Sequence, residues 1–180
     1  MKQSLTTAGA TLLIATLAAC SSTKADTSGT PSSPDAATHS VTAKQDTASK
    51  PLTASTAFDK ISAVVTSAKL GGIVTAENDP NHLLGRPNQY TSKVTFTDSR
   101  IKASDVEGTD KDDVDRGGAV EVFADAAGAQ ARAKYIETII KSMPAFTEYD
   151  YVQGTTLVRV SQYLTPAQAG EYKAAAAKLG

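Results

Sequence analysis

Phe146-Thr147-Glu148-Tyr149-Asp150-Tyr151-Val152-Gln153-Gly154-Thr155-Thr156-Leu157-Val158-Arg159-Val160-Ser161 is the stretch on which the fold turns. Two runs rich in aromatic and β-branched residues alternate with period two around a glycine, the pattern of a β-hairpin. With Gln153-Gly154 as a two-residue turn, Tyr151 faces Thr156, Tyr149 faces Val158 and Thr147 faces Val160. Opposed residues point to the same side of a sheet, so this face is apolar. The other face then carries Glu148 opposite Arg159, an exposed pair expected to contribute about 0–1 kcal/mol.

Outward from the hairpin the pattern continues. Thr165-Pro166-Ala167-Gln168 combines a capping box with proline at the first helical position, and predicts a helix to about Leu179 with Ala169, Tyr172, Ala176 and Leu179 facing in. Upstream, Gly118–Phe123 reads as a strand with Val120 and Val122 inward and Glu121 outward. Asp125 caps a helix to about Ser142, with Ala129, Ala133, Ile136, Ile140 and Met143 on its inner face and Pro144 ending it. Thr91–Thr97 alternates as a half-buried strand, with Ser92, Val94 and Phe96 on one side and Lys93, Thr95 and Thr97 on the other. Phe58, Ile61, Val65 and Ala68 recur at helical spacing, which predicts a first helix from Phe58 to Leu70 stopped by Gly71-Gly72. The expected class is α+β: a four-stranded, mainly antiparallel sheet with helices packed on one face, in the order α-β-β-α-β-β-α.

The amino-terminal third has a different composition. Ser21 to Thr56 is rich in Ser, Thr, Ala, Asp, Lys and Pro, with Val41 and Leu52 as its large aliphatics. Such a segment buries too little apolar surface to offset its ordering entropy, and is expected to act as a tether with an end-to-end distance of about 35 Å. Before it, Lys2 and a short apolar run from Ala8 to Ala19 describe a secretory signal peptide, too short for a bilayer span of roughly 20 residues. The expected organisation is a signal peptide at 1–19, a tether at 20–56 and one domain at 57–180.

Leu17-Ala18-Ala19-Cys20 resembles the bacterial lipobox, in which the cysteine is lipidated and becomes the first mature residue. The resemblance implies that Cys20 carries a diacylglycerol and that the protein sits on the extracytoplasmic face of the cell membrane. Stable anchoring takes two acyl chains, each buried CH₂ contributing about 0.8 kcal/mol, and a diacylglycerol supplies both. A second resemblance lies in Asp79-Pro80-Asn81, Leu83-Leu84-Gly85-Arg86-Pro87 and Tyr90-Thr91-Ser92, which is similar to a signature of small uncharacterised lipoproteins of Gram-positive bacteria. It extends through Gly117-Gly118 to the carboxyl terminus and implies a location and a coherent fold, with no activity attached.

Composition narrows the chemistry. Cys20 is the one cysteine of the chain, so a domain built from residues 57–180 has no disulfide, no cysteine nucleophile and no thiolate for zinc. A formal net charge of −1 gives no basic footprint for nucleic acid and no polybasic patch for lipid headgroups. His82 is the domain's one histidine, and no glycine-flanked serine elbow accompanies it. The acidic run from Asp105 to Asp115 fails the calcium-loop pattern: counted from Asp110 the glycine position holds Asp115, and counted from Asp113 the final glutamate position holds Ala124. Tyr149, Tyr151 and Tyr163 are readable as an aromatic platform, but Tyr149 and Tyr151 fall beside core valines.

These observations predict a binding or interaction module, not an enzyme, with no catalytic residue, metal site or cofactor assigned. Its partners are the membrane through the Cys20 anchor and an envelope protein, peptide or cell-wall ligand. The candidate ligand-binding residues are Asp79, His82, Arg86 and Tyr90, in an irregular loop that contains Pro80 and Pro87, where binding groups often reside. The alternative is an envelope hydrolase or transferase using His82 with loop carboxylates.

Overall fold

The computed structural model describes residues 51–180. The signal peptide, Cys20 and the tether up to Lys50 lie outside the described residues.

A short helix, α1 (Ala54–Ser62), opens the described chain. Thr53 caps it: its side chain accepts the Thr56 amide, while the Thr56 hydroxyl accepts the Thr53 amide. Ala54, Ala57, Phe58 and Ile61 are its buried face. It begins at Ala54, inside the stretch expected to be tether, and ends at Ser62, well short of Leu70. Val65 is buried in the turn that follows, and Ala68 opens strand β1 (Ala68–Ile73). The apolar positions that read as one helix thus belong to a helix, a turn and a strand. Gly71-Gly72 lies within that strand and forms a bulge: the register with β2 (Tyr90–Asp98) slips between Leu70 and Gly72.

Three further strands complete the sheet: β3 (Gly117–Phe123), β4 (Glu148–Gln153) and β5 (Thr156–Ser161). The order is β1-β2-β3-β5-β4, with every neighbouring pair antiparallel. The sheet therefore has five strands where four were expected, the additional one being β1. Helix α2 (Ala126–Ser142) connects β3 to β4, and α3 (Pro166–Ala176) closes the chain behind its Thr165–Gln168 capping box.

Helices cover both faces of the sheet, not one. On the first face α1 and α3 bury Val94 and Phe96 of β2, Val120 and Val122 of β3, and Val158 and Val160 of β5, with Tyr149 and Tyr151 packed beside them. Phe96 is stacked between Phe58 at 5.5 Å and Tyr172 at 5.3 Å. Gly118 makes the space for it: a Cβ there would land on the Phe96 ring and the Arg159 carbonyl. Asp98, fully enclosed at the end of β2, accepts the Tyr172 hydroxyl at 2.6 Å, the Ser67 hydroxyl at 3.0 Å and two bonds from the Arg100 guanidinium, tying α3 to the sheet. On the second face α2 packs Ala129 and Ile136 against Tyr90, Phe123 and Leu157. This is why Lys93, Thr95 and Glu121, expected to point to solvent, are all buried: α2 and the 109–115 loop roof the side that period-two alternation marks as polar.

The hairpin pairs two residues away from the expected register. Tyr151 lies opposite Val158, Tyr149 opposite Val160 and Asp150 opposite Arg159, leaving Gly154-Thr155 as the turn. Gly154 has φ 53°, and Gln153 stays in the extended strand. A turn with glycine first needs a positive φ only at that position, whereas glycine second would also force Gln153 there. A two-residue slip preserves the faces, so Tyr149, Tyr151, Val158 and Val160 remain together.

Candidate functional site

The loop between β1 and β2 is organised by one carboxylate. Asp79, 1 % exposed, accepts the amides of Asn81, Leu83 and Leu84 at 3.1, 2.8 and 2.9 Å, and the Tyr90 hydroxyl at 2.7 Å. Burial pushes its pKa up, but these bonds from Tyr90 and the loop amides outweigh it and hold the carboxyl below its usual range. The same site drives the Tyr90 hydroxyl well above its ordinary value, through burial first and the Asp79 carboxylate second. Asp79 and Tyr90 thus hold the loop together and are committed to each other. His82 and Arg86 are exposed, and line with Asp79 a shallow depression of ≈ 210 Å³. His82 sits at φ 52°, a left-handed conformation that the loop imposes on it.

The loop's other side builds something larger. Pro80 and Asn81 border a cleft of ≈ 640 Å³ beneath α2 on the second face of the sheet. One wall is the apolar side of α2 and the turn after it, with Ile139, Ile140, Met143 and Phe146. The facing wall is the acidic loop with Asp112, Asp113 and Asp115. Tyr135, Met143 and Phe146 are 58, 45 and 62 % exposed, more apolar surface than a folded chain needs at its rim. Among the described residues no group of His, Cys, Asp and Glu is placed to hold a metal ion. The acidic loop is ordered by protein contacts instead. Arg116 donates to the carbonyls of Asp110, Val106 and Thr109, and Ser161 donates to the Asp115 carbonyl.

Lys93, Arg132 and Arg159 reach the cleft from β2, α2 and β5. Behind them, fully enclosed, is Glu121. Its Oε1 lies 3.2 Å from Lys93 Nζ and 3.3 Å from Arg159 Nη1, and its Oε2 lies 3.1 Å from Arg132 Nε. Arg159 also holds Glu148 through two bonds, at 2.7 and 2.8 Å. The expected Glu148–Arg159 pair is therefore present, but it is enclosed and belongs to a network. Burial of Glu121 would raise its pKa, but Arg159, Lys93 and Arg132 outweigh it, so it stays ionised. Asp150 goes the other way: burial, then the neighbouring Glu148 charge, pushes it up to about 8.

One cation of the cluster keeps unused donors. Arg132 is 10 % exposed, and its bond to Glu121 uses Nε, which leaves both terminal Nη groups without a hydrogen-bond partner among the described residues. Its guanidinium lies 5.8 Å from the Tyr135 ring. It also borders a second depression of ≈ 530 Å³, lined by Leu83, Asn88 and Gln89 of the Asp79 loop. The sequence does not single out Arg132. A lone arginine on a helix whose apolar stripe is elsewhere reads as solvated, and only the strand pairing of Lys93 with Glu121 shows what it meets. No family model, no curated protein and no solved structure matches this chain.

Proposed function

We propose that this chain is a lipid-anchored binding module on the extracytoplasmic face of a bacterial cell membrane, and that it binds through the cleft under α2. The observation that carries the site is Arg132, nearly enclosed yet with unused N–H groups, on the lining of a cleft of ligand size with apolar and acidic residues around it. Pockets of about 300–1,000 Å³ with apolar walls and a few converging polar groups are the usual form of a ligand site. The anchor rests on the lipobox resemblance of Leu17-Ala18-Ala19-Cys20. The tether and the cleft fit together as a domain held near the membrane to contact something in the envelope.

The hydrolase or transferase alternative is the weaker reading. It needs a carboxylate free to orient His82, and the one that lines the same depression, Asp79, already accepts from three amides and a hydroxyl.

The test has two arms in intact cells. Cys20→Ala is expected to abolish labelling by a fatty-acid probe, and unchanged labelling would refute the anchor. A photo-crosslinker replacing Phe146 is expected to capture a partner that one replacing Lys60, on α1, does not. Loss of that difference would refute the cleft as the binding surface.

A further inference from the structure

We infer that the cleft binds a short dipolar peptide, its terminal carboxylate on Arg132 and Lys93, its last side chain apolar, and an ammonium group against Asp113 and Asp115. This rests on the cleft reading above and names its ligand class.

Arginine geometry selects the anion. The Nη groups of Arg132 have no hydrogen-bond partner among the described residues and stand at the cleft beside Lys93. The free Nη groups of Arg132 form the planar fork that suits a carboxylate.

The facing wall selects the rest of the ligand. Asp113 and Asp115 line the cleft from the acidic loop. Burial, then the Asp113 charge, raises the Asp115 pKa, which reports two carboxylates close enough to repel. A cation there relieves that repulsion. A fatty acid brings a carboxylate and an apolar body but nothing for this wall, whereas a peptide with a basic or amino-terminal group brings all three. Ile139, Ile140 and Met143 line the same cleft, surfaces for an aliphatic side chain.

Isothermal titration of the folded chain separates these roles with three probes: the tripeptide Lys-Ala-Leu as free acid, its carboxy-terminal amide, and acetyl-norleucyl-Ala-Leu acid, which lacks any ammonium. The free acid is expected to bind. The amide should bind at least about tenfold more weakly, the loss expected for one charge-assisted bidentate contact. The acetyl-norleucyl acid should fall between them. Arg132→Gln should weaken the free acid about as much as amidation does and leave the amide unaffected, while Arg132→Lys recovers part of the loss. Ile139→Glu leaves the Glu121 cluster intact and provides a second variant should Arg132→Gln fold poorly; it should weaken binding of the free acid at least as much. Equal affinity for acid and amide, or an Arg132→Gln variant that folds and binds the acid normally, overturns the proposal. If no probe binds while the Phe146 crosslink persists, the peptide class is wrong and the cleft stands. If the crosslink is lost as well, the cleft reading falls with it.

Discussion

Glu148 grips the Arg159 guanidinium at 2.7 and 2.8 Å from a position diagonal to it, although Asp150 is the residue directly opposite Arg159 on the neighbouring strand. The diagonal grip leaves Asp150 facing an arginine whose charge Glu148 and Glu121 already balance. Asp150 Oδ1 is enclosed with no partner among the described residues, and its carboxyl keeps a proton to pH values of about 8.

Asp150 gives stability an unusual pH slope. Its folded pKa is raised, so the folded state holds a proton that the unfolded chain releases near pH ~4. Its contribution is therefore full below about pH 4, declines as pH rises, and is gone above about 8. Asp79 and Asp98, with lowered pKa values, act in the opposite sense and lose their contribution as pH falls below about 4. Asp150→Asn should flatten the decline in urea midpoint between pH 5 and 8 and leave the acid limb unchanged. An unaltered slope would refute the assignment.

The Glu121 cluster makes Arg159 more valuable to the fold than a core valine. Arg159→Ala leaves Glu121 and Glu148 enclosed with less compensation, a loss of about 3–5 kcal/mol by analogy with other buried pairs broken on one side. Val158→Ala removes two methyl groups from the core and should cost about 1–3 kcal/mol. Denaturant unfolding of the two variants should rank them in that order. The reverse order would mean that Glu121 reaches water more freely than its enclosure implies.

The ranking also shows where the sequence stops being legible. The hairpin's two faces, both later helices and most of their inner faces are local patterns: a capping box, a proline, a period of two or 3.6; Met143, expected inward, is exposed where α2 ends. Glu121 and Lys93 look outward because alternation describes one strand at a time and says nothing of a helix laid on the second face. β1 is hidden because Ala68, Leu70 and Ile73 are spaced by a bulge at Gly71, and so show no clean period. At the candidate site the Asp79–Tyr90 loop is legible as an ordered loop, but Arg132 joins its cleft only through tertiary packing.

Two glycines should respond in opposite ways to the same substitution. Gly118→Ala places a methyl group on the Phe96 ring and the Arg159 carbonyl, and the strand pairing cannot yield to it. We expect loss of cooperative folding by circular dichroism. A Cβ added at Gly170, in α3, would meet nothing within 4 Å, so Gly170→Ala should stabilise by about 0.5–1 kcal/mol. Equal effects of the two changes would contradict the packing around Phe96.

The first helix sets the smallest stable domain. A chain starting at Ala57 lacks the Thr53 cap, worth about 0.5–2 kcal/mol, and the enclosed Ala54, whose amide donates to Ser92 at 2.9 Å. It should melt several degrees below a chain starting at Thr47. Equal melting temperatures would show that α1 forms without its first turn.

That first turn also fixes how the domain bears a load. If the chain is held by lipid at Cys20, any pull from the envelope enters at Pro51–Thr53 and passes into a nine-residue helix, not into a strand. A helix on the surface of a sheet peels away turn by turn, whereas paired strands must give up many bonds together. Under tension the domain should yield first at α1, parting Phe58 from Phe96. The cleft lies on the opposite face, under α2, so a pull between anchor and ligand crosses the sheet. A tug on the anchor would then loosen one side of the sheet while the ligand-facing side kept its shape.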